Sequence, residues 1–359
     1  MPTPAESKVS DRRFTPEPDS ISAEDVQQEF ADIFAELREA DETHSTISHL
    51  SSRFVTEPNV DFSGGWQLQL RNLWHLYYVA GKHCNEAAVS PLILQIVEIS
   101  QRGVLPRNRL NSDGTAELEC APIMVMAGTR QVRQFLWVDL PLLVPAMREY
   151  WSHDCARMSR SQRVRISFFL GSLAATSTGQ WAYGLCSIAL VLLRDTLEKD
   201  RRLVRVGVEP GGEDSENTGQ STDMLTIADL LPAVSTWLVQ AGSRIVQLCE
   251  AGDGTTQGWL TTAPPDDVYS LGPLAVEAGV QPVFGGFNRL RWFFWPHRLD
   301  AIGAEAPGQE TGGNSTPFVQ RVKAEKQMVR RVAHNMVYAA SQSNSSIVQE
   351  LLRMGRLPL

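Results

Sequence analysis

Residues 225–250 read LTIADLLPAVSTWLVQAGSRIVQLCE, with Leu230, Leu231, Val234, Trp237, Leu238, Ala241, Ile245 and Leu248 recurring at helical spacing. That spacing gathers the apolar side chains on one side of a helix with 3.6 residues per turn. The stretch predicts a long amphipathic helix, and the chain on both sides of it repeats the pattern. Helices are predicted at about 160–176 and 180–200 before it, and at about 318–341 and 345–354 after it.

Further towards the start, Asp139 is placed as an N-cap with Pro141 in the first turn of a run ending at Trp151. A helix over 89–101 begins near Pro91, and another runs from Trp66 to Cys84. The latter is bulky on two sides: one stripe carries Trp66, Leu70, Leu73, Tyr77 and Gly81, the other Arg71, Trp74, His75, Tyr78 and Lys82. A helix of that kind is central in a bundle or lines a cavity. Ser22, with Asp25 three residues on, caps an early helix through Val26, Phe30, Ile33, Phe34 and Leu37. The turn-rich stretch 103–122 has room for a short strand, and 252–286 and 303–316 read as irregular. The expected fold is all-α: a single large helical domain over 21–359 with long irregular loops. Residues 1–20 read as a disordered tail, and 207–223 (GVEPGGEDSENTGQSTD) as a mobile acidic loop.

Composition agrees with a globular chain. Of 359 residues, 43% are hydrophobic and 21% charged. Chains of this length often divide into two domains, but no Pro/Gly-rich hinge separates two independently patterned halves. The net charge of −8 repels phosphate backbones, so neither nucleic acid nor an anionic membrane is an expected partner. Cys84, Cys120, Cys155, Cys186 and Cys249 form no C-x-x-C pair, which argues against a disulfide framework and a zinc site. The opening MPTPAESKVSDRR lacks the apolar core of a signal peptide, and Leu185–Leu193 is too short to span a bilayer. The expected location is cytoplasmic, with no membrane insertion.

Motifs for familiar chemistry are missing. None of His44, His49, His75, His83, His153, His297 and His334 falls in a metal-binding frame, so no metal is expected. Gly211-Gly212 and Gly285-Gly286 match neither a phosphate loop nor a dinucleotide fingerprint, and no G-x-S-x-G occurs; no cofactor is expected. Lys323, Lys326, Arg330 and His334 share one side of a late helix and read as a solvated face.

The nine tryptophans are more informative. Trp292, Trp295, Leu299 and Ile302 face one way, with Arg289, Arg291, His297 and Arg298 beside them. Such a set packs a core or forms the rim of an apolar pocket, and core packing is the commoner fate. Pro296 is expected to kink this helix or start a new one. The same two readings attach to Trp74-His75-Leu76-Tyr77-Tyr78 and to Tyr150-Trp151-Ser152-His153.

Trp137-Val138-Asp139-Leu140-Pro141 and Met147-Arg148-Glu149-Tyr150-Trp151 resemble a fungal family of proteins of unknown function. The resemblance continues through Ala189–Glu198, Leu230–Trp237, Gly286-Phe287, Arg291–Trp295 and Arg298-Leu299, spanning roughly 66–302. Pro296 and the acidic loop depart from the family pattern. The resemblance implies an all-helical fold and a fungal source but supplies no catalytic residues. Some similar proteins accompany natural-product pathways, among them cofactor-free hetero-Diels–Alder cyclases of tropolone–sesquiterpene biosynthesis.

On that basis one expectation is a cofactor-independent cyclase acting on an apolar terpenoid or polyketide intermediate. Its candidate donors or acids are His75, Tyr78 and His297, with Arg298 as an oxyanion partner. Trp74, Tyr77, Tyr150, Trp151, Trp292 and Trp295 are the candidate substrate-binding walls. The alternative is a non-catalytic helical scaffold that binds a small molecule or a protein partner.

Overall fold

The computed structural model describes residues 66–101, 107–110, 116–119, 123–127, 130–135, 137–205, 221–252, 269–281, 286–304, 316–343 and 345–353. All of them fall in one compact unit, Ala40–Leu359. The readings for 1–20, for the helix begun by Ser22 and for most of the acidic loop lie outside the described residues.

The architecture is all-α, with two short hairpins set between the second and third of the described helices. In chain order these are α1 (Trp66–His83), α2 (Glu86–Gln101), β1 (Arg107–Leu110), β2 (Ala116–Glu119), β3 (Ile123–Ala127) and β4 (Arg130–Gln134). Then come α3 (Leu143–Asp154), α4 (Arg160–Thr176), α5 (Gln180–Leu193) and a π turn, Arg194–Glu198. The remainder is α6 (Ile227–Ala251), the short α7 (Pro273–Glu277), α8 (Arg289–Ala304), α9 (Thr316–Gln342) and α10 (Ser346–Arg353). β1 pairs antiparallel with β2, and β3 with β4. β1 and β2 lie within the stretch 103–122 where a short strand is expected, whereas β3 is a five-residue apolar run, Ile123–Ala127, with no alternation to mark it.

The stretch that opened the sequence reading, α6, is the central helix, packing on α4, α5, α8, α9 and α10. Its start is a capping box: Thr226 accepts from the Asp229 N–H while the Asp229 carboxylate accepts from the Thr226 N–H. At Ala241 the backbone leaves helical geometry (φ −123°, ψ 16°). The next residue, Gly242, lies where α9 crosses: a Cβ there would sit 2.6 Å from the Ala339 Cβ. α4 has its own capping box, between Ser159 and Gln162. At the far end, Glu250 of α6 caps α10 by accepting from the Ser346 N–H and hydroxyl, at 2.6 and 2.8 Å.

Three local expectations change. Asp139 is not the N-cap of α3; its carboxylate accepts from the Phe135 N–H at 2.7 Å, closing the preceding turn. The helix starts instead at Leu143, after Leu140 and Leu142 with φ of 41° and 65°, a left-handed conformation that is strained for leucine. The predicted helix over 180–200 changes register at Arg194 into the π turn. Pro91 and Pro296 lie inside α2 and α8, which run on through them. Among the described residues no helix is long and apolar enough to cross a membrane.

Candidate functional site

Helical spacing aligns His75, Tyr78 and Lys82 along one side of α1. On α3, Tyr150 and Asp154 are one turn apart and face that row, because α1 and α3 pack together. The two rows alternate across the seam. The His75 ring lies 4.9 Å from the Tyr150 ring, and Tyr150 lies 5.3 Å from the Tyr78 ring. Lys82 Nζ reaches Asp154 Oδ2 at 2.9 Å.

Apolar bulk encloses this polar row. Trp74, Tyr77, Tyr78 and Trp151 are all at most 2% exposed. The Trp74 indole donates to the Pro141 carbonyl at 2.9 Å, which ties α1 to the strained turn before α3. Tyr77 lies 6.2 Å from Trp74, ring to ring, and its hydroxyl meets Gln95 of α2 at 3.3 Å. Behind them, Gly81 lets α1 approach α4 so closely that a Cβ would stand 2.6 Å from Phe169.

Burial decides the charge states. It pushes the His75 imidazole from 6.5 down to about 4, the Asp154 charge opposing and the Lys82 charge assisting. Burial and then the Asp154 charge hold the Tyr78 hydroxyl well above its ordinary 10. Tyr150 is pushed up to about 12, by burial first and by Glu149 second. At neutral pH the row therefore presents a neutral imidazole and two neutral phenols. Tyr150 already donates, to the Arg71 carbonyl at 3.2 Å. Tyr78 is enclosed beside the Asp154 carboxylate, which raises its pKa through charge and through hydrogen bonding, in a geometry that falls short of a full hydrogen bond. A donor held in this way is suited to a carbonyl or ether oxygen.

The second predicted set lies elsewhere. Trp292 and Trp295 are fully buried in α8 and meet edge to face at 6.1 Å. His297 is exposed and Arg298 half-buried. α8 packs on α6, α9 and the π turn, whereas α1 packs on α2, α3 and α4. His75, Tyr78 and Tyr150 therefore come together, while His297 and Arg298 belong to another face of the bundle.

Around Trp295 the polar chemistry is closed on itself. Arg291 and Glu198 are fully buried, joined at 2.6 Å through Nε–Oε1 and 3.0 Å through Nη2–Oε2. Glu198 also accepts from the Trp295 indole at 2.8 Å and the Gly272 N–H at 2.7 Å. The remaining Arg291 donors go to the carbonyls of Gly286, Ser270 and Tyr269. Every guanidinium hydrogen has an acceptor, so this group holds loops together and leaves nothing for a ligand. The π turn is what swings Glu198 inward to meet it. Arg163 plays a similar part, bonding the carbonyls of Cys155, Met158 and Asp229.

From the sequence Lys82 is one member of a stripe, and neither Asp154 nor Glu198 stands out as a site residue. The available signal for Asp154 was its place one turn after Tyr150 on the same side. Burial pushes the Cys155 and Cys186 thiols up to about 12, which leaves them unreactive. Among the described residues no group of three His, Cys, Asp or Glu side chains gathers to hold a metal ion.

The profile of the family described as "Protein of unknown function (DUF3632)" matches residues 74–299, well over half of the chain. The chain is also 30% identical over 242 residues to the "Oxopyrrolidines biosynthesis cluster protein G" of Penicillium oxalicum. That alignment covers 67% of this chain and 61% of the relative, so the chain spans less than two thirds of the relative's length. No solved structure matches the chain. The chain belongs to the DUF3632 family, whose match begins at Trp74 and ends at Leu299.

Proposed function

We propose that this member of the DUF3632 family acts in secondary metabolism as a cofactor-independent cyclase, closing a ring in an apolar terpenoid or polyketide-type intermediate by a hetero-Diels–Alder reaction. The observation that carries the reading is the row His75–Tyr150–Tyr78, neutral at physiological pH and set among aromatic side chains where α1 meets α3. The relative's name, which places that protein in a biosynthesis cluster, supports the setting.

A cycloaddition transfers no electrons to the protein and needs no covalent intermediate. It gains from alignment of the two reacting parts against apolar walls, a part we assign to Trp74, Tyr77 and Trp151. It also gains from a hydrogen bond to the oxygen of the electron-poor partner, where negative charge grows in the transition state. Tyr78 supplies that donor. Burial pushes the His75 pKa down to about 4, so the imidazole is neutral at pH 7. The role we assign it is hydrogen-bond acceptor.

A second reading, a non-catalytic helical scaffold, draws on Trp292 and Trp295, which pack the core beside the closed Glu198–Arg291 pair.

Deleting the gene and complementing with wild type, Tyr78→Phe or His75→Gln separates the two. Because cycloaddition conserves every atom, the cyclase reading expects the deletion strain to accumulate an open-chain isomer of the missing product. Wild type restores the product, and Tyr78→Phe restores at most a tenth of it. An unchanged metabolite profile on deletion, or full restoration by both variants, removes the cyclase reading.

A further inference from the structure

The α1–α3 seam does not end at Tyr78. One turn further on, Lys82 and Asp154 close it with the 2.9 Å ion pair, their side chains 16% and 15% exposed. Five side chains thus follow one another across two helices, His75, Tyr150, Tyr78, Asp154 and Lys82, and each can gain or lose a proton. We infer that Asp154 and Lys82 are positioning residues of the same site, acting on ligand only through Tyr78 and His75. This inference rests on the function proposed above for the row's catalytic use, but its physical content is testable without substrate.

A partly buried ion pair in this setting contributes little to net stability, because desolvation of both charges offsets most of their attraction. The fold around it is held by other means: Trp74 on Pro141, Gly81 against Phe169, and Arg163 on three carbonyls. What the pair does change is the field along the row. Burial first and Asp154 second hold the Tyr78 hydroxyl protonated; at His75, where burial again acts most strongly, Asp154 favours the charged form and Lys82 disfavours it. Tyr150 and the Cys155 thiol, which also face Tyr78, are neutral at physiological pH, their ionised forms disfavoured by burial. Glu149 and Arg71 act on Tyr150 from the exposed edge, at 3.8 Å from each other and about half exposed, so solvent screens them. Among these charges, Asp154 and Lys82 are the least screened. They oppose each other at His75, and losing either one unbalances it.

The test is a set of four full-length variants, Asp154→Asn, Lys82→Met, Asp154→Glu and Lys82→Arg, each followed by NMR titration of the His75 imidazole in the unliganded protein. Asp154→Asn is expected to lower the His75 midpoint and Lys82→Met to raise it. The two conservative variants should keep it near the wild-type value. A purely structural pair would move thermal stability without moving the two midpoints in opposite directions, and that outcome overturns the inference. If Asp154→Asn does not fold, the Lys82→Met and Lys82→Arg titrations decide alone, since a midpoint unchanged in both is equally fatal.

Conversion of the open-chain isomer isolated from the deletion strain then ties the pair to function. Asp154→Asn is expected to slow conversion about tenfold, with the pH profile displaced in the direction of the NMR midpoint. If wild type itself fails to convert that compound, the cyclase reading falls while the titrations still stand. If wild type converts it and Asp154→Asn matches it at every pH, the positioning role falls alone.

Discussion

Replacing Glu198 by glutamine keeps the side chain's shape and removes its charge, which isolates what the buried network contributes. Wild-type Glu198 receives four hydrogen bonds, two from Arg291, one from the Trp295 indole and one from the Gly272 N–H. An amide offers one oxygen in place of two, and its NH2 group turns a donor towards neighbours that are themselves donors. Arg291 is fully buried and would keep its charge without a counter-charge. Removing one member of such a pair costs about 3–5 kcal/mol, a large part of the roughly 5–15 kcal/mol that holds a typical domain folded. With a urea dependence of about 3 kcal/mol per molar, the midpoint should fall by roughly 1–1.7 M. The assay is equilibrium urea unfolding of wild type, Glu198→Gln, Glu198→Met, Arg291→Met and the double methionine variant. The double variant should lose at least about 2 kcal/mol less than the two single losses added together, because it strands neither charge. It should not reach wild type, since the Gly272 N–H and the Trp295 indole would lose their acceptor and the Gly286 carbonyl its guanidinium donor, each worth about 1 kcal/mol or more. A Glu198→Gln loss below about 1 kcal/mol, or single losses that simply add, would refute the reasoning.

Two further outcomes follow from the same geometry. Because burial lowers the His75 pKa from 6.5 to about 4, the unfolded chain binds a proton in that window that the folded chain does not. Stability should therefore rise with pH from about 4 to 6.5 and level off above; this one group accounts for about 3 kcal/mol of the difference. His75→Gln should flatten that limb in unfolding measured across pH, and an unaltered limb would exclude the assignment. Gly242→Ala places a methyl group 2.6 Å from the Ala339 Cβ where α6 meets α9. Overpacking of about 1–3 kcal/mol outweighs the better helix propensity of alanine, so the melting temperature should drop, and Ala339→Gly in the same chain should recover part of it. A rise in melting temperature for the single variant would contradict the close approach.

How legible the molecule was depends on the kind of interaction. Helices such as α4, α6, α9 and α10 were readable to within a residue or two because their apolar periodicity is local and strong. The hairpins were harder: four- and five-residue strands carry too few alternations to stand out. The helix starts at Asp139 and Pro91 were misplaced because both residues obey helix-start preferences that turn geometry and packing overrode at these positions. In the candidate site, His75, Tyr78 and Tyr150 were picked by side-chain type and helical face, and tertiary structure joins all three. Their partner Asp154 sits about seventy residues from Lys82, a separation at which nothing in the local pattern signals contact.

By itself the sequence determined the all-α class, the position of the central helix and the aromatic stripes, because each follows from side-chain chemistry repeated at a period the backbone imposes. Only the tertiary structure decided which stripe fills the core and which borders a polar seam. Trp292 and Trp295 are core, and the π turn brings Glu198 to the Trp295 indole. His75 became a neutral group when α3 covered it. Both outcomes turn on desolvation and on pairing between distant segments, quantities that exist only after the helices have packed.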